Sequence, residues 1–148
     1  MKVMLIGTTG AGKTTLIQAL QERLLQWQKT QMVTYMGDFI DIPGEYLDIP
    51  RFHRVIIVTA MDAELILLVQ PANTKQENIP PGFASMFSQP IIGVITKIDL
   101  PGAEIEQAKS FLRLAGANKE IVPVSAINGE GLDILIEVLG EYGWKKSK

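Results

Sequence analysis

Four short apolar runs, residues 3–6, 65–69, 91–95 and 121–124, constrain this chain more than any other feature. None alternates polar with apolar side chains, so each reads as a parallel strand covered on both faces. Amphipathic stretches lie between them. Leu16, Leu20, Leu24 and Trp27 recur at helical spacing through residues 14–28, as do Ile105, Ala108 and Leu112, and then Leu132, Leu135, Ile136 and Leu139. Strands alternating with helices imply an α/β fold: right-handed crossovers and a mostly parallel sheet of about six strands with helices on both faces. Residues 32–41 break the pattern, because two β-prone pieces flank Met36-Gly37. That predicts a tight hairpin and one antiparallel edge strand. Residues 52–61 contain strand-prone Val55-Ile56-Ile57-Val58, yet a helix there preserves the alternation, and tertiary context overrides propensity. Residues 71–90 read as a loop with one helical turn around 83–87.

The chain has 148 residues, 47% hydrophobic and 20% charged, which suits one compact domain and excludes a disordered chain. It contains no cysteine, which excludes a disulfide scaffold, a thiolate nucleophile and a cysteine-borne lipid anchor. A net charge of −2 argues against a general nucleic-acid binder. No apolar run approaches the ~20 residues of a membrane span, and Gly7 ends the apolar start too early for a signal peptide. The expectation is a cytoplasmic protein with one domain over residues 1–143. A short basic tail over residues 144–148 is too small for a direct membrane anchor.

Gly7-Thr8-Thr9-Gly10-Ala11-Gly12-Lys13-Thr14 follows the first strand and opens the first helix, in the pattern G-x-x-x-x-G-K-[ST]. Glycines let backbone N–H groups turn inward onto phosphate oxygens, and the helix N-terminus adds partial positive charge. Lys13 would neutralise β- and γ-phosphates, and the Thr14 hydroxyl would coordinate Mg²⁺. By composition alone the string arises in roughly one chain in a few hundred of this length. The candidate phosphate contacts are Gly7, Thr8, Thr9, Gly10, Ala11, Gly12, Lys13, Thr14 and Thr15.

Asp41-Ile42-Pro43-Gly44 ends the expected edge region in D-x-x-G. Alone this is ordinary turn punctuation. After a phosphate loop, Asp41 can hold Mg²⁺ through water, and the Gly44 N–H can meet a γ-phosphate. Thr96-Lys97-Ile98-Asp99 lies at a strand's C-terminal end, where open α/β sheets bind ligands. The Asp99 carboxylate can accept both N–H groups of a guanine edge, which adenine lacks, while the Lys97 stem covers the base. Equally, Asp99 is a helix cap ahead of Pro101. Ser125-Ala126 supplies small residues that let a backbone N–H, that of Ala126, reach the guanine carbonyl.

The ordered set GTTGAGKT, DIPG, TKID and SA resembles the Ras-like P-loop GTPases across nearly the whole chain. More narrowly, DIPGEY, PPGFASMF and PIIGVITKIDLPGA resemble the ethanolamine- and propanediol-utilisation P-loop proteins, the EutP/PduV family. The resemblance implies a Ras-like P-loop NTPase fold that binds GTP or GDP with Mg²⁺. It also implies a link to bacterial microcompartment metabolism, with a shell or pathway protein as partner. It assigns Lys13 to phosphates, Thr14 and Asp41 to the metal, Gly44 to the γ-phosphate, and Thr96, Lys97, Asp99, Ser125 and Ala126 to the base.

Three departures stand out. Glu45 follows D-x-x-G where many Ras-like members have a water-orienting Gln; a carboxylate there is repelled by phosphate, although it can act as a general base. Thr96 replaces the commoner Asn. The switch segment is short, and its Mg²⁺-binding threonine is Thr30 or Thr34, with Thr30 favoured because Thr34 falls in the expected strand. A slow GTPase or switch is the first expectation. Its rivals are a phosphotransferase acting on a small carboxylate such as acetate, and a partner-binding module with structural nucleotide. His53, Arg51 and Arg54 read as a solvated helix start, Met4, Met32, Met36, Met61 and Met86 as core or edge filler, and Trp27 and Trp144 as cover for apolar surface.

Overall fold

A computed structural model of the chain describes residues 2–27 and 39–144. Its elements run β1 (Val3–Ile6), α1 (Lys13–Trp27), β2 (Phe39–Asp41), α2 (His53–Ala60), β3 (Leu65–Pro71), β4 (Ile91–Thr96), α3 (Ile105–Ala115), β5 (Ile121–Pro123) and α4 (Leu132–Glu141). The sheet order is β2-β1-β3-β4-β5, and every pairing is parallel. The apolar runs became strands because both faces are covered: β1, β3 and β4 are buried at every position. Val3 and Leu5 point into one core with Leu16, Leu20, Leu135 and Leu139 of α1 and α4. Met4 and Ile6 point into the other, with Ile56, Ala108 and Leu112 of α2 and α3. The period of two along β1 thus feeds two separate helical layers.

Five parallel strands stand among the described residues, against an expectation of six with an antiparallel edge. Among the described residues the strand at that edge is β2, which runs parallel to β1 with Leu5 registered on Asp41. A strand that delivers Asp41 to the sheet end carrying the phosphate loop has to run in the direction of β1. The remainder of the expected hairpin lies outside the described residues, as do Thr30, Thr34, Met32 and Met36. The helix expected over 52–61 forms, and the expected turn around 83–87 is a 3₁₀ turn at Phe83–Met86.

Side-chain burial corrects some of these expectations and bears out others. Met61 is 79% exposed and Met86 is also exposed, so neither fills the core, whereas Met4 does. Trp144, at the head of the basic tail, covers apolar surface as expected: it is buried, with its ring 5.9 Å from that of Phe39. His53 does open α2, but it is half-buried. Its Nε2 lies 2.8 Å from the Leu47 carbonyl as donor, and its ring meets Phe83 edge-on at 5.1 Å.

Candidate functional site

The strand order reverses at β1, with β2 on one side and β3 on the other, and the loop after β1 opens into that crevice. Positive φ angles of 85° at Gly10 and 92° at Gly12 let the loop curl, which side-chain-bearing residues resist. Ala11 N–H donates to the Thr8 carbonyl at 3.0 Å, and Leu16 N–H to Gly12 at 2.8 Å, joining the loop to α1. Lys13 is only 7% exposed. Its Nζ donates to the Gly7 carbonyl at 2.9 Å and lies 3.5 Å from that of Thr8. Burial lowers the Lys13 pKa, while the charges of Asp41 and Glu45 act in the opposite sense. The ammonium therefore sits in the loop with two carboxylates in electrostatic reach.

β2 and the turn after it bring the sensor residues onto this loop. Thr14 Oγ1 donates to Asp41 Oδ2 at 2.7 Å, and Thr9 Oγ1 to Glu45 Oε2 at 3.2 Å. Gly44 is pressed so closely on Thr8 and Thr9 that any Cβ there would fall on their backbone. This close approach, rather than a left-handed angle, is why position 44 needs glycine. A cavity of about 390 Å³ results, lined on one side by Thr9, Gly10, Gly12, Lys13, Thr14 and Thr15 and on the other by residues 41–45. Thr14 and Asp41 are hard oxygen donors of the kind Mg²⁺ takes. Among the described residues no cluster of three or more His, Cys, Asp or Glu side chains forms a metal cage.

The loop after β4 is tied to the phosphate loop. Thr96 Oγ1, buried, donates to the Ala11 carbonyl at 2.6 Å, and Lys97 Nζ to that of Gly10 at 2.5 Å. Thr96 thus supplies a link between the two loops without the amide of the commoner Asn. Lys97 is the one non-glycine residue with positive φ, 62°, among those described. That angle costs on the order of 1 kcal/mol and is held by its bond to the loop. Ser125 is fully buried, and its Oγ donates to Asp99 Oδ1 at 2.8 Å. That bond orients the carboxylate. A second cavity, about 150 Å³, is lined by Gly12, Thr15, Thr96, Lys97, Asp99, Leu100, Ala126 and Ile127. Gly12 and Thr15 belong to both cavities, so the two are neighbours across the start of α1.

Most of the expected residues therefore converge. Arg51, His53 and Arg54 line neither cavity. Other features are set by the fold more than by local sequence. Thr9 occupies a free position of the loop motif, and only the fold sets it opposite Glu45. Ile127, 81% exposed, flanks Ala126 at the second cavity. Gln70, buried at the end of β3, donates to Thr74 Oγ1 at 3.0 Å and accepts the Asn78 N–H at 3.3 Å, organising the 71–78 loop. A polar residue ending an apolar run was the sequence trace of that pin.

The chain is similar to known proteins in sequence and in fold. The chain is 36% identical over 133 residues to the propanediol utilization protein PduV of Citrobacter freundii, covering 89% of this chain and 88% of that protein. It is 32% identical over 141 residues to a probable acetate kinase, EutP, of Escherichia coli K12, covering 93% and 88%. In fold it is similar to the cytosolic domain of the T. maritima FeoB iron transporter, solved in its GMPPNP form. That match has a TM-score of 0.61 and 24% identity, and covers all of this chain and 65% of the other. No helix among the described residues is long and apolar enough to cross a membrane. The model of the ethanolamine utilisation–propanediol utilisation family matches residues 1–141, and the chain belongs to that family.

Proposed function

We propose that this chain is a Mg²⁺-dependent guanine-nucleotide-binding protein that hydrolyses GTP slowly in ethanolamine or propanediol utilisation. The observation that carries the reading is the pair of adjoining cavities, one basic and glycine-lined, the other holding an oriented carboxylate. A single nucleotide laid over Gly12 would place its phosphates at Lys13 and its base at Asp99. The inward N–H groups of residues 9–14 would hold phosphate oxygens, with Lys13 neutralising the β- and γ-phosphates. Asp99, steadied by Ser125, would accept the N1–H and N2–H₂ donors of guanine. An adenine there would leave the carboxylate unpaired. Ala126 would offer its backbone N–H to the base carbonyl, and the Lys97 stem would cover the ring. Thr14, Asp41 and Thr30 are the residues to hold Mg²⁺, which when bound neutralises charge on the β- and γ-phosphates. Gly44 would present its N–H to the terminal phosphate, and Glu45 would take the proton of an attacking water.

Residues 1–143 would act as one nucleotide-binding domain of a cytoplasmic protein, with a short basic tail. Its partners would be the nucleotide and a microcompartment shell or pathway protein, with no nucleic acid and no direct membrane anchor.

A second reading is favoured by the 32% identity to a probable acetate kinase. Here a small carboxylate such as acetate would replace water. Its oxygen would attack the γ-phosphorus, the bond to the β–γ bridging oxygen would break, and an acyl phosphate and GDP would leave. One experiment tests both readings. Purified protein with Mg²⁺ receives GTP or ATP, with and without acetate, while inorganic phosphate and acyl phosphate are measured separately. Free phosphate from GTP alone supports hydrolysis, and acetate-dependent acyl phosphate supports transfer. If neither product forms although GTP binds, turnover is refuted and a binding module remains. Equal affinity for ATP and GTP refutes the guanine pocket.

A further inference from the structure

Four of the eight exposed large hydrophobic side chains among the described residues crowd into one short stretch: Val55, Ile57, Val58 and Met61. They belong to α2 and its C-terminal cap, far more apolar than a solvated helix face should be. Measured around the helix from Val58 at about 100° per residue, Arg54, Val55, Met61 and Asp62 all fall within about 60° of it. Ile56 and Ala60, which are buried, lie about 160° away on the opposite face. Met61 keeps helical backbone angles, φ −62° and ψ −22°, so the face continues to the end of the segment.

This face has an internal symmetry. Val55 stands three positions before Val58 and Met61 three after, while Arg54 stands four before and Asp62 four after. Both charged residues are exposed, and neither charged group has a hydrogen bond or ion pair among the described residues. An antiparallel copy of the same helix, related by a two-fold axis through Val58, would set Val58 on Val58, each Val55 on a Met61, and each Arg54 on an Asp62. A two-fold interface is self-complementary in just this sense. A heterologous partner gives no reason for charges of opposite sign at matched distances from the centre.

We propose that α2 is the interface of a homodimer, formed by a second copy of this chain packed antiparallel across Val58. Two helices at 8–10 Å bury less than the roughly 1,200 Å² of stable complexes, so the dimer is a concentration-dependent one. The proposal stands apart from the nucleotide reading, since it uses no residue of either cavity.

The test uses the full chain. Sedimentation of the wild type across about 10 μM to 1 mM should show monomer passing to dimer. Arg54→Asp, which sets two like-charged pairs across the axis, should weaken association about tenfold. Asp62→Arg should do the same, and the double variant Arg54→Asp/Asp62→Arg should return to within about threefold of wild type, because the pairs are restored with exchanged signs. Circular dichroism and melting of each variant check that folding is unchanged, as expected for exposed positions. The cysteine-free sequence permits an independent measurement. Facing Cα atoms on helices this close stand within disulfide reach, so Val58→Cys should cross-link to itself under mild oxidation. Ile134→Cys, 59% exposed on α4, should not. A monomer throughout the range overturns the proposal. So does a dimer indifferent to Arg54→Asp, a double variant no better than the singles, or equal cross-linking at positions 58 and 134.

Discussion

Glu45→Gln separates a passive neighbour of the phosphates from a residue that reads their number. Glu45 is exposed, lines the 390 Å³ cavity and accepts the Thr9 hydroxyl at 3.2 Å. Its charge reaches Lys13, where it works against the effect of burial. A triphosphate brings about one more negative charge into that cavity than a diphosphate. Two unit charges about 4 Å apart repel by ~1 kcal/mol in bulk water and ~4 kcal/mol at an effective dielectric of 20. The exposure of Glu45 puts its effect near the lower figure. Gln keeps the shape and still accepts from Thr9, but removes the charge. The ratio of triphosphate to diphosphate affinity should therefore rise about fivefold. Calorimetric titration with GDP and a non-hydrolysable GTP analogue measures it, and the gain should shrink at high salt. An unchanged ratio, a fall, or a gain indifferent to salt would refute the electrostatic argument. Phosphate release from GTP should meanwhile slow, because an amide cannot take a proton from water. Faster turnover in the variant would show that position 45 orients water rather than deprotonating it.

Three further perturbations probe the rest of the site. Lys13→Ala should abolish triphosphate binding, and micromolar affinity persisting in it would overturn the phosphate-loop assignment. In the wild type, the lowered Lys13 pKa means that nucleotide affinity should fall with rising pH before the 10.5 of an ordinary lysine is reached. Over that same window the unfolded chain binds more protons than the folded one, so the free protein should become more stable as pH rises. An affinity flat up to pH 10.5 would contradict the burial argument. Asp99→Asn exchanges an acceptor for a donor and should move preference from GTP toward XTP, checked by competition binding; an unchanged preference would assign Asp99 to capping alone. Gly44→Ala forces a Cβ onto the Thr8–Thr9 backbone and should cost about 1–3 kcal/mol, read as a lower melting temperature at roughly 2–4 °C per kcal/mol. An unshifted melt would mean the segment simply moves away.

Legibility in the sequence followed the range of the interaction. The strands with two buried faces were readable because periodicity is local, and α2 was readable only through alternation, against the pull of Val55-Ile56-Ile57-Val58. The phosphate loop was legible because its geometry is set within eight consecutive residues. Partnerships across the fold were not. Nothing near Thr9 announces Glu45, 36 positions away, and nothing near Ser125 announces that its hydroxyl serves Asp99. His53 looked solvated because its partners, Leu47 and Phe83, come from separate segments. Strand direction is not legible in the same way: β-propensity reports that a segment pairs, while the position of Asp41 relative to the loop makes β2 parallel to β1.

The stretch from Asp41 to Leu47 is held from two sides, and that bears on how phosphate number would be felt elsewhere. On one side are the Asp41–Thr14 and Glu45–Thr9 bonds and the contact of Gly44 with the loop. On the other, His53 at the start of α2 holds the Leu47 carbonyl, and Tyr46 stacks on Phe52 at 4.8 Å. A segment anchored on one side alone could rearrange without disturbing its surroundings. Anchored on both, any displacement of Gly44 or Glu45 has to strain the Gly44–Leu47 turn or carry α2 along. That turn is 3₁₀, whose hydrogen-bond geometry is poorer than that of an α-helix. Coupling then depends on whether the turn has two discrete arrangements that nucleotide can bias. The route it would take runs through Leu47 and His53, not through Arg51 or Arg54, which line neither cavity.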